Sequence, residues 1–245
     1  MDYWANLTQL TQQAHCPALT AQYTAMQAFR AAVAQGQLPK EPLPRLGITE
    51  AIAFDLMRQA LPLASVNTLD HLLRNFRQYI AYHFGMWAFV QQRLFATWTA
   101  LFGRQRYLEI AAGNGYLSYG LQQAGNQVIA TDARTWQKEN LTGAKPLLPI
   151  YQAGEAAALL TYGAQVDAVV MAWSPDHEWN DAALLWQLRQ QFPSLPLFVL
   201  GERNGATNSR LFWQLAKFVP ERRLLKLNRA FPRFDAINDR IYLIQ

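Results

Sequence analysis

Residues 109–117 read EIAAGNGYL. A carboxylate, Glu109, sits near the end of the short apolar run RYLEI, and Ala111, Ala112, Gly113 and Gly115 follow with almost no side chain. Gly113 and Gly115 permit backbone angles closed to other residues and remove the Cβ atoms that would block an approaching molecule. A helix starting near Tyr116 would point its free N–H groups at the same spot. The pattern predicts a nucleotide-like ligand resting on a strand-to-helix turn, and two ligand classes compete for it. As a dinucleotide fingerprint the stretch offers Gly113-x-Gly115-x-x-Ser118, with Asp132 nineteen positions after Gly113. That match is imperfect, because the third small residue is Ser rather than Gly or Ala. Glu109 fits the dinucleotide class poorly, since a strand-end carboxylate would repel a pyrophosphate. A buried carboxylate is also expensive without a cationic or hydrogen-bonding partner, and a positively charged ligand would provide one.

S-adenosylmethionine carries an ammonium and a sulfonium and no phosphate. Residues 107–133, YLEIAAGNGYLSYGLQQAGNQVIATDA, resemble the first motifs of class I S-adenosylmethionine-dependent methyltransferases. That family shows an acid, one residue, then Gly-x-Gly-x-Gly. Glu109 occupies the acid position, Ala111 stands where the first glycine is expected, and Gly113 and Gly115 match the second and third. The resemblance implies that Asp132, ending the second strand, bonds both ribose hydroxyls; two acceptor oxygens suit two adjacent O–H donors. AGEAAALL, residues 153–160, is similar to the family's next motif and implies that Glu155 meets the adenine amino group. DAVVMAWSP, residues 167–175, resembles the fourth strand and the loop bordering the methyl-transfer site, with Trp173 as a pocket wall. The resemblance covers residues 105–245. It implies S-adenosyl-L-methionine as cofactor. Plainer readings stand beside it: Glu109 meeting solvent at a strand end, Asp132 as a turn or N-cap residue, and Glu155 in the first turn of a helix, where the dipole favours an acid.

Methyl transfer from a sulfonium is an in-line displacement whose leaving group is already activated, so positioning can supply much of the rate. A base is needed only for a protonated acceptor. The loop AWSPDHEW, residues 172–179, holds the catalytic candidates. His177 can accept a proton at neutral pH, and Asp176 can orient it or bind an amine. Against this, Ser174 and Pro175 read as N-cap and N1 of a helix, which would make Asp176 and His177 ordinary first-turn residues. Nucleic-acid methyltransferases acting on exocyclic amines share an Asn/Asp-Pro-Pro-aromatic loop at this place. Ser174-Pro175-Asp176-His177 lacks the second proline and the aromatic, which disfavours base amines as acceptors. The expected acceptor is a small molecule. The alternatives are an NAD(P)-dependent oxidoreductase, or a non-catalytic helical interaction module on a cofactor-binding domain.

These residues need a scaffold that places them at strand ends. RYLEI, QVIAT, LLPIY, DAVVMA and LFVLG are five candidate strands, interleaved with helical stretches near 116–124, 155–163, 180–191 and 208–218. Such alternation predicts a Rossmann-like α/β fold with a mostly parallel sheet covered on both faces. Near the C-terminus, RLLKL and RIYLIQ read as strands joined by a loop too short for a crossover, so an antiparallel C-terminal strand is expected. Residues 103–245 would form this domain. Residues 1–102 read as a helical N-terminal extension, a cap or an interaction region. In it, 19–36 and 48–61 are helical, with Thr49 or Ile48 near the start of the second. Asn67 or Thr68 would cap one long helix running to Gly103. Its apolar face recurs at three- and four-residue spacing from Leu72 to Leu101, mainly as core. The alternative has Tyr79, Tyr82, Phe84 and Trp87 facing a pocket.

The totals agree with a folded enzyme-sized chain: 245 residues, 51% hydrophobic and 16% charged. The net charge of +5 is mild. It concentrates between Arg203 and Arg240, with nine Lys or Arg against Glu221, Asp235 and Asp239. That reads as solvated faces and leaves a nucleic-acid partner open. One cysteine, Cys16, excludes an intrachain disulfide and a Cys-cluster metal site, so no metal is expected. No signal peptide or membrane span is visible, which makes a cytoplasmic location the expectation.

Overall fold

The structure, a computed structural model, describes residues 2–135, 145–176 and 178–245. Six helices come first: α1 (Tyr3–Gln13), α2 (Pro17–Ala34), α3 (Glu50–Arg58), α4 (Leu63–Arg74), α5 (Phe76–Phe84) and α6 (Gln92–Phe102). The chain then alternates through β1 (Arg106–Ile110), α7 (Tyr116–Gln123), β2 (Gln127–Asp132), β3 (Tyr151–Gln152), α8 (Glu155–Tyr162), β4 (Ala168–Ala172), α9 (Asn180–Gln191) and β5 (Leu197–Gly201). It ends with α10 (Arg210–Leu215), α11 (Arg223–Arg229) and β6 (Arg240–Ile244). The six strands form one sheet in the order β3-β2-β1-β4-β5-β6. Every pair is parallel except β5 with β6, where Val199 faces Tyr242. This is the Rossmann-like arrangement the alternation predicts, with the strand order reversing between β1 and β4. None of the described helices is long and apolar enough to cross a membrane.

Strand alternation divides the sheet's side chains between two cores. Leu108, Ile110, Val169, Met171, Leu197 and Val199 face α8, α9 and α10. Tyr107, Ala168, Val170, Phe198 and Leu200 face the other way, into a core shared with Leu7, Met26, Phe76, Trp98 and Leu227. The N-terminal helices therefore pack directly on one face of the sheet. By the same period of two, Glu109 lies on the Tyr107 side of β1, toward α7.

Four local expectations are corrected. Residues 67–103 are not one helix. α4 begins after Pro62, α5 follows at Asn75, and Gly85 stops α5 in the left-handed conformation (φ 66°). The apolar spacing survives because all three segments lay their buried faces on one core. RLLKL is helical: Leu227 is buried while Leu225 is 65% exposed, and the edge of β5 is already taken by β6. A five-residue apolar run does not distinguish the two structures by itself. LLPIY contributes only Tyr151 to a two-residue strand, since Pro149 has no N–H to give to a ladder. Ser174 and Pro175 do not start α9, which begins at Asn180. Elsewhere the expected signals operate. Thr49 accepts a hydrogen bond from the Ile52 amide at the start of α3, and Ser209 accepts one from the Phe212 amide at the start of α10.

Helix α7 approaches α6 so closely that a Cβ at Gly120 would overlap the Phe95 ring. Phe95 is 1% exposed, so its ring must shift within the core to admit the methyl group. Gly120→Ala is expected to destabilise the protein by about 1–3 kcal/mol, the usual cost of overpacking, read as a lower urea midpoint at unchanged m-value. An unchanged midpoint would show that the two helices can separate freely.

Candidate cofactor site

The turn between β1 and α7 is held from three sides. From β2, the Asp132 carboxylate accepts the Gly113 amide at 2.7 Å and the Arg134 amide at 2.6 Å. From β1, Glu109 accepts the Ser118 amide at 2.8 Å, and its carboxyl also takes the Ser118 hydroxyl. From α5, the Phe84 carbonyl accepts the Asn114 side-chain amide (3.1 Å) and the Tyr116 hydroxyl (3.0 Å). Within the turn the Gly115 amide bonds the Ala112 carbonyl at 2.8 Å. Ala111, Gly113 and Gly115 all have positive φ, at 55°, 56° and 78°. Ala111 thus adopts the conformation that a glycine would take without strain.

Strand alternation aims Glu109 sideways at α7 rather than forward over the strand ends. The carboxyl is 2% exposed. Burial is the largest influence on it and pushes its pKa up to about 8. The two Ser118 bonds pull the other way, and the Asp132 charge adds to the rise. Glu109 therefore carries its proton through most of the neutral range. The anionic rim expected from its position is supplied instead by Asp132, with Glu155 beside it. Asp132 is 4% exposed, and its neighbour Glu155 is half-buried at the first position of α8. Burial, joined by the charges of Glu178, Asp132 and Asp181, raises the Glu155 pKa.

Above these groups the backbone is bare. A Cβ built on Gly113 or on Gly154 would meet nothing within 4 Å among the described residues. Gly115 differs: its Cβ would press on Leu148 and Ile150 at 3.3 and 3.4 Å, so this glycine admits a chain segment rather than an open volume. The Leu147 amide ties that segment to the Asn114 carbonyl at 3.0 Å.

Trp173 stands just past β4, whose Met171 pairs with Ile110 of β1. It has φ 55°, uncommon for a bulky side chain and a conformation that concentrates at functional sites. Its indole N–H donates to Asp239 at 3.1 Å. Arg77 lies over its ring at 4.7 Å, and Trp87 packs beside it with ring centroids 6.2 Å apart. Asp176 lies farther along the loop and lines a cavity of about 590 Å³ with Asn204, Asn208 and Arg210 on the β5 side. His177 lies outside the described residues.

Arg77, Asp235 and Asp239 do not stand out in the sequence as a group. Arg77 pairs with Asp235 at 2.6 Å and with Asp239 at 2.9 Å, and all three side chains are buried. Asp235 and Asp239 thus leave the solvated faces assigned to residues 203–240. A lone Arg inside an apolar stripe was the available signal, since a charged residue in a core needs partners.

Glu109 sets a pH dependence with a definite sign. Its folded value of about 8 lies above the ordinary 4.5, so between those values the folded state holds a proton that the unfolded chain has lost. This contribution is most favourable below pH 4.5, and it declines as pH rises through 8. Glu109→Gln keeps an acceptor for Ser118 and removes the slope. Its stability relative to the native chain should rise by on the order of a few kcal/mol between pH 5 and pH 9, measured by urea unfolding. Parallel curves for the two proteins would contradict the buried neutral carboxyl.

No protein-family model and no curated protein matches the sequence. Similar solved structures include a variant of MtNAS in complex with S-adenosylmethionine, at 10% identity and TM-score 0.40, covering 100% of this chain and 98% of that one. A second is the Burkholderia thailandensis 1,6-didemethyltoxoflavin-N1-methyltransferase with bound 1,6-didemethyltoxoflavin and S-adenosylhomocysteine. It shows 16% identity and TM-score 0.36, over 75% of this chain and 91% of that one. A third is human N-acetylserotonin methyltransferase in complex with S-adenosylmethionine, at 12% identity and TM-score 0.40, over 91% of this chain and 66% of that one. Likenesses this distant identify no activity, and the functional reading rests on the geometry of the site.

Proposed function

We propose that this chain is a methyltransferase that binds S-adenosyl-L-methionine across the carboxyl ends of β1, β2 and β3 and methylates a small-molecule acceptor. One observation carries the reading: the Asp132 carboxylate is clasped to the glycine turn directly beside bare backbone that no described residue approaches. A carboxylate there suits vicinal hydroxyls, since two acceptor oxygens match two adjacent O–H donors. Pyrophosphate is a poor fit. The amides of Gly113, Gly115 and Ser118 are committed to Asp132, Ala112 and Glu109. The negative charges of Asp132 and Glu155 would repel phosphate oxygens as well.

In this reading Asp132 binds the ribose hydroxyls and Glu155 the adenine amino group. Ala111 and Gly113 offer backbone to the amino-acid portion, Gly115 makes room for the Leu148–Ile150 segment that backs the turn, Glu109 braces the turn from behind through Ser118, and Trp173 borders the methyl-transfer position. When bound, the cofactor supplies a methyl group already activated on a sulfonium. The acceptor's lone pair forms the new bond to the methyl carbon while the carbon–sulfur bond breaks toward sulfur. The chain's contribution is to hold the two in line and exclude water. Asp176 and His177 are the candidate groups for taking a proton from a protonated acceptor. Residues 1–102 act as the wall over the acceptor side rather than as a separate module.

Isothermal titration tests this. S-adenosylhomocysteine should bind and NAD(P) should not; the reverse result would favour the oxidoreductase reading, and binding of neither would favour a non-catalytic scaffold. Asp132→Ala should weaken S-adenosylhomocysteine by at least about tenfold, the scale of lost hydrogen bonds to a charged group. Asp132→Asn, which keeps one acceptor oxygen, should fall between. An unchanged dissociation constant in Asp132→Ala would refute the ribose assignment.

A further inference from the structure

Past the end of β4 the molecule builds a second feature: an aromatic wall on a buried ionic base. Arg77 is its centre. It donates through Nε to Asp235 (2.6 Å), through Nη2 to the second oxygen of Asp235 (3.2 Å), and through Nη1 to the Trp87 carbonyl (3.0 Å). Nη1 also reaches Asp239 at 2.9 Å. Phe89, Phe234 and Trp173 present ring faces to the same guanidinium at 4.7–4.9 Å. Asp239 in turn fixes the Trp173 indole N–H. Trp87 is thereby held by its own carbonyl and by its ring contact with Trp173, while Tyr82 meets the Trp87 ring edge-on at 6.0 Å.

The open part of this assembly is aromatic. Trp87 is 37% and Tyr82 48% exposed, and Trp173 is half-buried, whereas the ions beneath are about 5–8% exposed. Two carboxylates face one guanidinium, and burial pushes the Asp239 pKa up to about 6, so the base is net negative above that pH. Burying such a cluster is costly, and a hydrophobic core would pack this region at no such cost. What the cluster achieves is a fixed position for two indoles, one of them in a strained backbone conformation, beside the point where the strand order reverses. Rigid indoles offer large contact area at low entropic cost, and their faces suit flat π systems.

We propose that the Trp87–Trp173 wall is the acceptor site, and that it takes a flat aromatic or heteroaromatic ring bearing no negative charge; this rests on the methyltransferase reading above. Flatness follows from the two indoles, and the exclusion of anions from the negative base and from nearby Asp132 and Glu155.

The test uses the full chain saturated with S-adenosylhomocysteine and four probes: quinoline, 1-methylquinolinium, quinoline-4-carboxylate and cyclohexylamine. Quinoline and 1-methylquinolinium should bind at least about tenfold more tightly than the carboxylate and the non-planar amine, by titration calorimetry and saturation-transfer NMR of the ring protons. Trp87→Ala should weaken both favoured probes by about tenfold while S-adenosylhomocysteine binds within about twofold of the native protein. Equal binding of planar and non-planar probes, preference for the carboxylate, or undiminished probe affinity in Trp87→Ala would overturn the proposal. The cofactor titration reports separately. If S-adenosylhomocysteine fails to bind, the methyltransferase reading falls, and the same probe series without it still decides whether the wall selects flat, non-anionic rings.

Discussion

The glycine turn after β1 depends on the carboxylate of Asp132. It is the last residue of its strand, and it reaches across to the neighbouring strand's turn and accepts the Gly113 amide. Two parallel strands are thereby fastened at the ends where ligands bind in open α/β sheets. With Gly113 held at positive φ, its missing Cβ leaves a place that no described residue fills beside the Asp132 carboxylate. The position of the turn, the exposure of bare backbone and the local negative charge all trace to that one contact. Glu109 has the complementary task. Pointing at α7 and neutral over most of the physiological range, it fixes the helix start without adding charge.

A second set of contacts makes the N-terminal helices part of the same site. The Phe84 carbonyl, at the end of α5, holds Asn114 and Tyr116 of the turn. Seven residues earlier, Arg77 holds the Asp235–Asp239 loop and, through Asp239, the Trp173 indole. One short helix therefore spans from the glycine turn to the exit of β4. Removing one partner of a buried ion pair of this kind costs about 3–5 kcal/mol. The wall is thus coupled to folding and not appended to a finished domain. The shared core, running from Leu7 to Leu243, says the same in apolar terms.

Much of this was legible in the sequence, and the limits have physical causes. Strands β1, β2, β4 and β5 and helices α7, α8 and α9 announce themselves because short buried apolar runs alternate with helical periodicity. The glycine turn and Asp132 stand out because two closely spaced glycines and a carboxylate are unusual at the ends of buried strands, whereas Glu155 is also what a helix start favours. Where the reading failed, local pattern carried too little information. RLLKL satisfies helix and strand alike, and tertiary packing of Leu227 decided it. The stripe from Leu72 to Leu101 is continuous in spacing but interrupted in backbone, because three helices share one buried face. The type of Glu109 suggests a charged partner, while the period of the strand adds Ser118 as its hydrogen-bond partner. Asp235 and Asp239 looked like surface acids among cations, since their partner Arg77 lies some 160 residues away in the chain.

A crystal structure of the protein with S-adenosylhomocysteine is the most direct measurement of where the ligand sits. The ribose hydroxyls should lie within hydrogen-bonding distance of the Asp132 carboxylate, with adenine against Gly154 and Glu155 and the thioether sulfur facing Trp173. Ribose density turned away from Asp132, or the nucleoside bound anywhere other than over Gly113, would contradict the assignment of this turn as the cofactor site.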